Sequence, residues 1–264
     1  MDAALLDPAD FETLHIKGSP ALAPLVFLHE GLGSVAMWQT RSENWPATVC
    51  AATGRAGWVY SRKGYGQSTS IPDVRGVNRL QADYMHQEAW TVLPQLLAAW
   101  GVRAPVLLGH SDGGTIALLH AAQCEVTACI VMAPHLMVEE KSVQAIQAAK
   151  MAYEQGDLRQ RLARFHADVD CAFWQWNDVW LSAEFRSFDI HQACQSITAP
   201  VLAIQGVDDA YGSLRHIQDL HTAGVVQREV LPDCGHSPHR DQAEMSRRLV
   251  VDFLRDLNEG GVLN

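Results

Sequence analysis

Four short stretches of this chain, "LVFLH" at 25–29, "VLLG" at 106–109, "ACIVMA" at 128–133 and "VLAIQ" at 201–205, are apolar at almost every position. A strand with one wet face alternates apolar and polar residues, so runs like these belong to strands buried on both sides. That condition is met by a mostly parallel sheet with helices packed on its two faces, an α/β fold. Further strand-like runs lie at 12–16, 58–61 and 228–231, and helical spacing fills 80–100, 115–123 and 242–258. Pro94, inside the first of these helices, predicts a kink or a division.

One interval breaks the alternation. From 137 to 191 no strand pattern appears, and the densest aromatic stretch, "FHADVDCAFWQWNDVW", falls within it. A connection of that length is not an ordinary loop, so it reads as a helical cap inserted into a core formed by 1–136 and 192–264. The whole length of 264 residues suits one such domain with an insertion.

The net charge is −10, with acidic residues scattered, which argues against binding a phosphate backbone and so against a nucleic-acid partner. No apolar run approaches the ~20 residues that cross a bilayer. The start "MDAALLDPADFETL" lacks a basic and apolar signal segment, so the expectation is a cytoplasmic protein without a membrane partner. Oligomeric state is not legible from one sequence. Six cysteines form no CxxC pair and read as buried thiols. The stretch "DCGHSPH" places Cys234 near His236 and His239, but metal-ligand spacing is absent elsewhere and no metal is expected.

Against this frame the stretch "LLGHSDGGT" at 107–115 stands out, because a serine sits between glycines where a buried strand gives way to a helix. On so sharp a turn the serine is forced into strained backbone angles, and its neighbours two residues away must be tiny. Gly109 and Gly113 meet that need. The Ser111 hydroxyl is then lifted beside a helix N-terminus whose N–H groups are unpaired and able to stabilise an oxyanion. A glycine-rich helix start that only packs tightly explains the motif alone equally well. The rest of the chain decides between them.

A serine hydroxyl is a weak nucleophile until a base takes its proton, and the base must be held in one tautomer by an acid. "VLAIQGVDDAYG" and "EVLPDCGHSPH" each place a candidate after a late strand, at the edge where ligands bind in open α/β sheets. His236 is the expected base. Asp208 and Asp209 compete for the acid; the position three past Gly206 favours Asp209, leaving Asp208 as a helix cap. Gly31, in "VFLHEGLGS", and Asp112 are the expected backbone donors of the oxyanion hole. Phosphate cradling by "GLGS" is disfavoured, since the lysine of a P-loop and the third glycine of a dinucleotide fingerprint are missing.

These parts, in this order, resemble the α/β-hydrolase family over almost the whole chain. "FLHEGLGS" is similar to its oxyanion loop, "YSRKGYGQS" to the turn after the next strand, "GHSDGG" to the nucleophile elbow, "GVDD" to the acid loop and "DCGHSPH" to the base loop. The elbow and the cap are most similar to small-ester hydrolases of the valacyclovir-hydrolase and carbon-carbon-hydrolase groups. The resemblance implies an eight-stranded, mostly parallel sheet, a cap after the sixth strand and no cofactor. Two departures stand out: Glu30 occupies a position where relatives commonly carry glycine, and "YSRKGYG" replaces a turn that usually begins with aspartate.

The expected activity is cleavage of a small carboxylic ester or lactone through an acyl-enzyme. Hydrolysis of a carbon-carbon bond beside a ketone with the same triad is the second enzymatic reading, and a receptor-like fold that only holds a ligand is the non-enzymatic one. Aspartate-dependent haloalkane and epoxide chemistry is disfavoured by Ser111. Trp174, Trp176 and Trp180 are candidates for a pocket roof, although Trp176 and Trp180, at i and i+4, are also what an amphipathic cap helix needs to dock, and plain packing accounts for at least one of them. His135, after the run "CIVMAP", is a pocket residue or a surface one with equal reason. Asp112, Glu30 and the acidic total suggest a preference for neutral or amine-bearing esters over dicarboxylates. Asp112 also has a plainer role, a favourable charge at a helix N-terminus.

Overall fold

The computed structural model describes residues 6–40 and 43–258. Its strands are β1 (Thr13–Ile16), β2 (Leu25–Leu28), β3 (Gly57–Tyr60), β4 (Val106–His110), β5 (Ala128–Met132), β6 (Val201–Gly206) and β7 (Val226–Leu231), each within two residues of the sequence expectation. They form one sheet in the order β1-β3-β2-β4-β5-β6-β7. All neighbours are parallel except β1, which runs antiparallel to β3 at the edge.

Among the described residues the sheet has seven strands, not the eight implied by the resemblance. Ahead of β1 the chain forms a short 3-10 turn, Pro8–Asp10, in which the Asp7 carboxylate accepts from the Ala9 N–H. A proline with fixed φ behind a capping aspartate favours that turn over an extended edge strand.

The helices are α1 (Trp45–Thr53), α2 (Tyr84–Gln87), α3 (Leu93–Ala99), α4 (Asp112–Ala121), α5 (Glu140–Gln155), α6 (Leu158–Leu162), α7 (Val169–Trp180), α8 (His191–Cys194), α9 (Arg215–Gln218), α10 (Pro238–Asp241) and α11 (Ala243–Asn258). The helix expected over 80–100 is divided: a π-turn, Glu88–Val92, joins α2 to α3. Pro94 has no N–H to return to the preceding turn, and the backbone widens just before it. α4 starts three residues earlier than its apolar spacing suggests, at Asp112. Gly113 and Gly114 are poor helix formers, and burial of the entire helix overrides that preference.

Alternate residues of the central strands enter two cores. Leu25, Phe27, Leu108 and Ile130 pack with Trp45 and Val49 of α1 and Phe253 of α11. Val26, Leu28, Leu107 and Val131 pack with Leu96 of α3 and Ile116 of α4 on the other face. Helices on both faces are why the strands are apolar at every position.

From β2 the chain crosses outward to β3 and then returns to place β4 on the other side of β2. The crossovers therefore diverge between β2 and β4, the point in an open α/β sheet where a crevice forms beyond the strand ends. The interval 137–191 is helical, holding α5, α6 and α7, with only an isolated bridge between Met137 and Asp189 at its ends. No helix among the described residues is long and apolar enough to cross a membrane.

Candidate active site

Ser111 lies between β4 and α4 with φ 53° and ψ −120°, in the region that favours glycine. Strand and helix are held so close that a Cβ at Gly109 would overlap the Gly113 carbonyl, and one at Gly113 would overlap the Leu28 carbonyl. Both glycines are thus required by backbone contact. A serine that precedes a helix usually caps it with its own oxygen. Here Ser111 makes no such bond, and Oγ instead lies 2.9 Å from Nε2 of His236.

His236 stands on the loop after β7. Its Nδ1 is 2.8 Å and 2.9 Å from the two oxygens of Asp209, so Nδ1 carries the proton and Nε2 is free to accept from serine. Asp209 is 1 % exposed. It also accepts from the N–H groups of Tyr211 (2.8 Å) and Gly212 (3.3 Å) and from Gln205 Nε2 (3.1 Å). Burial by itself raises this carboxyl, but the hydrogen bond and charge of His236 and the Tyr211 N–H outweigh it and hold it at about 2. Asp208 is exposed and offers only its backbone N–H, to the Cys234 carbonyl. The structure thus brings Ser111, His236 and Asp209 into one hydrogen-bonded line.

That line opens into a cavity of about 270 Å³. Gly31 and Asp112 both border it beside Ser111, and among the described residues neither backbone N–H has an acceptor. Two unpaired donors flanking a nucleophilic oxygen can hold a developing oxyanion. Gly31 is pressed against the Trp176 indole so closely that a Cβ there would overlap Nε1. Gly31→Ala is therefore expected to displace the loop and lower turnover by roughly 10²-fold or more, with nitrophenyl acetate as the assay. The double variant Gly31→Ala/Trp176→Ala, which removes the overlapping ring, should recover part of that loss. An undiminished rate in Gly31→Ala would mean its N–H takes no part.

Trp176 and Trp180 both line the cavity, together with Ile146, Leu158 and Leu162 from the same helical interval. Trp174 does not; it turns outward beneath Arg75, whose guanidinium carbon is 3.8 Å from its ring centre. His135 lines the cavity and is 3 % exposed, so it is not a surface residue. Its ring is 5.8 Å from His236 and 4.9 Å from Trp180, and Nδ1 has no hydrogen-bond partner among the described residues. Burial, then the neighbouring His216, hold it well below the usual histidine range and therefore neutral.

The two carboxylates expected to sort substrates by charge are already engaged. Asp112 accepts from the Tyr84 hydroxyl at 2.6 Å and lies 3.8 Å from the Arg62 guanidinium. Burial raises its carboxyl, and Arg62 partly offsets the rise. Glu30 sits 3.4 Å from His110 Nδ1 and 3.4 Å from Arg240. Burial alone would raise Glu30 too, yet His110 and Arg240 hold it well below the ordinary carboxylate range. Each acid thus has a guanidinium within 4 Å, which offsets its charge toward a ligand, while both line the cavity and Asp112 Oδ1 has no hydrogen-bond partner among the described residues.

Arg62, Tyr84, His110, Tyr211 and Arg240 were not identified from the sequence. For Arg62 a signal existed in the unusual turn "YSRKGYG". Tyr211, whose ring is 4.7 Å from His236, follows the acid loop directly.

The chain matches the alpha/beta hydrolase family over residues 25–248. The sn-1-specific diacylglycerol lipase ABHD11 of Mus musculus is 25% identical, the match spanning 90% of this chain and 83% of that protein. Among solved structures, an esterase from Exiguobacterium antarcticum superposes with a TM-score of 0.71 at 17% identity, covering 93% of this chain and 95% of the esterase. An enol-lactonase from Burkholderia xenovorans LB400 does so with a TM-score of 0.69 at 15% identity, covering 93% and 96%.

Proposed function

Because the chain belongs to the alpha/beta hydrolase family, we propose that it is a serine hydrolase cleaving a small carboxylic ester or lactone through an acyl-enzyme. One observation carries the reading: the unbroken hydrogen-bonded line from Ser111 Oγ through His236 to Asp209, ending at a cavity bordered by two free backbone donors.

In this reading Ser111 Oγ attacks the substrate carbonyl while His236 Nε2 takes its proton, and the N–H groups of Gly31 and Asp112 hold the oxyanion. The imidazolium then gives its proton to the departing alkoxide. Water enters, His236 takes one of its protons as the hydroxide adds to the acyl carbonyl, and the imidazolium returns that proton to Ser111 Oγ as the acyl–serine bond breaks and the acyl group leaves as a carboxylic acid. Asp209 fixes the imidazole tautomer throughout and balances its charge. Residues 137–191 act as the cap: Ile146, Leu158, Leu162, Trp176 and Trp180 wall the cavity, and its volume suits a small acyl group. With Glu30 and Asp112 balanced by nearby cations, a neutral ester or lactone is the favoured substrate.

A fluorophosphonate probe with peptide mapping, followed by rates on nitrophenyl esters of increasing acyl length and on small lactones, tests this. Modification at Ser111 with the fastest turnover on short neutral acyl groups is expected. A protein that is neither modified there nor active on any of these compounds would end the proposal.

A further inference from the structure

Resting on the serine-hydrolase reading above, we infer that Arg62 is the positioning residue that aligns both oxyanion donors, gripping the peptide that carries one and the carboxylate beside the other. Its side chain is 3 % exposed and lies in the turn after β3.

Nη1 donates to the His29 carbonyl at 2.8 Å and Nη2 to the Glu30 carbonyl at 3.2 Å. The Arg62 backbone N–H donates to His29 Nε2 at 3.0 Å. That bond leaves the His29 ring proton on Nδ1, which donates to the same Glu30 carbonyl at 2.7 Å. The Glu30 carbonyl therefore accepts from Arg62, from the His29 ring that the Arg62 N–H orients, and from the Gly33 N–H of its own loop at 3.0 Å.

The Glu30 carbonyl and the Gly31 N–H belong to one peptide group. In a planar trans peptide the C=O and N–H point in opposite directions. Drawing the carbonyl toward Arg62 turns the N–H away from it, and Gly31 borders the cavity. The Gly33 N–H belongs to the same loop and moves with it, so Arg62 and the His29 ring are what tie that peptide to the turn after β3, and a donor that swings contributes little to an oxyanion.

The same Nη2 lies 3.8 Å from Asp112 Oδ2. That oxygen also accepts from Tyr84 Oη, which in turn accepts from Trp180 Nε1 at 3.0 Å. Asp112 opens α4, so fixing its carboxylate steadies the first turn of the helix and the N–H that faces the cavity. One guanidinium thus sets the spacing between two donors that come from different strands. A lysine cannot do this, since a single ammonium has no planar fork to hold two carbonyls and a carboxylate at once.

The test is Arg62→Lys, with active sites titrated by fluorophosphonate. Turnover of nitrophenyl acetate per titrated site should fall by roughly 10²-fold while KM changes by less than about threefold. Affinity for phenylboronic acid, which forms a tetrahedral adduct on a serine, should fall by the same factor as kcat/KM. Affinity for the acetate product should not change. A merely structural role would lower the titrated fraction or the melting temperature and leave the rate per site intact.

If the lysine variant does not fold, Arg62→Met/Asp112→Asn removes both charges together, avoids an uncompensated buried carboxylate, and should show the same selective loss. Wild-type protein that is not phosphonylated at Ser111 overturns both the hydrolase reading and this inference. Phosphonylated wild type, with a folded variant that keeps its rate per site or its boronate affinity, overturns the inference alone.

Discussion

Ser111→Ala should lower turnover of nitrophenyl acetate by about 10⁶-fold and abolish labelling by fluorophosphonates. The fold should be unaffected, because alanine keeps the Cβ that already tolerates φ 53° and the hydroxyl bonds to His236 and not to the helix. The loss of one hydroxyl at this position is expected to change stability by less than about 1 kcal/mol. Activity and a thermal melt on the same preparation check both halves. Turnover within tenfold of wild type would show that another nucleophile does the work. The residual rate in the variant belongs to the oxyanion donors and to binding, which the substitution leaves in place.

Asp209→Asn should lower kcat by about 10⁴-fold, the size of effect seen when a triad acid is replaced by its amide. An amide oxygen at the Oδ1 position keeps the bonds from Tyr211 and Gly212. Its NH₂ then faces the Gln205 NH₂ and the protonated His236 Nδ1, so donor meets donor. The imidazole is driven toward the other tautomer, in which Nε2 bears the proton and cannot take one from Ser111.

The substitution also has a stability cost with a defined pH window. The Asp209 carboxyl is held at about 2 against an ordinary 3.8, so its contribution is fully present above 3.8 and is lost as pH falls through about 2. At neutral pH that amounts to roughly 2 kcal/mol for this buried group. The difference in melting temperature between wild type and variant should therefore be steady from neutral pH down to about 5 and shrink in stronger acid. A difference that widened on acidification would contradict the assignment.

The strands and the three residues of the Ser111–His236–Asp209 line were legible because each is a local event. A buried strand is written in consecutive residues, and each triad member follows the end of one, so β4, β6 and β7 could be located with their loops attached. The choice of Asp209 over Asp208 rested on counting from Gly206, and the structure buries the first and exposes the second. Helical period placed Trp176 and Trp180 on one face of α7 without saying whether that face docks or lines a pocket; it meets the cavity, while Trp174 falls on the side of Arg75.

What stayed hidden joins residues far apart in the chain. Arg62 touches Asp112, Tyr84 reaches both Asp112 and Trp180, and His110 faces Glu30. No spacing rule links such positions. For the same reason the partners of Glu30 and Asp112 could not be read, since a carboxylate alone in sequence looks free until its counter-charge arrives from another element. The π-turn before Pro94 is a compromise between a missing N–H and continued packing, and only its location was written in the chain.

The reacting atoms hang from the rims of neighbouring strands, whereas Ile146, Leu158, Leu162, Trp176 and Trp180 belong to a single helical interval between β5 and β6. In the proposed reading the groups that break the bond and most of the apolar wall therefore stand on separate stretches of chain, with Leu32, Met37 and Tyr211 closing the wall from the sheet side. Substitutions within that one interval can reshape the cavity without moving Ser111, His236 or Asp209, provided an indole still rests on Gly31.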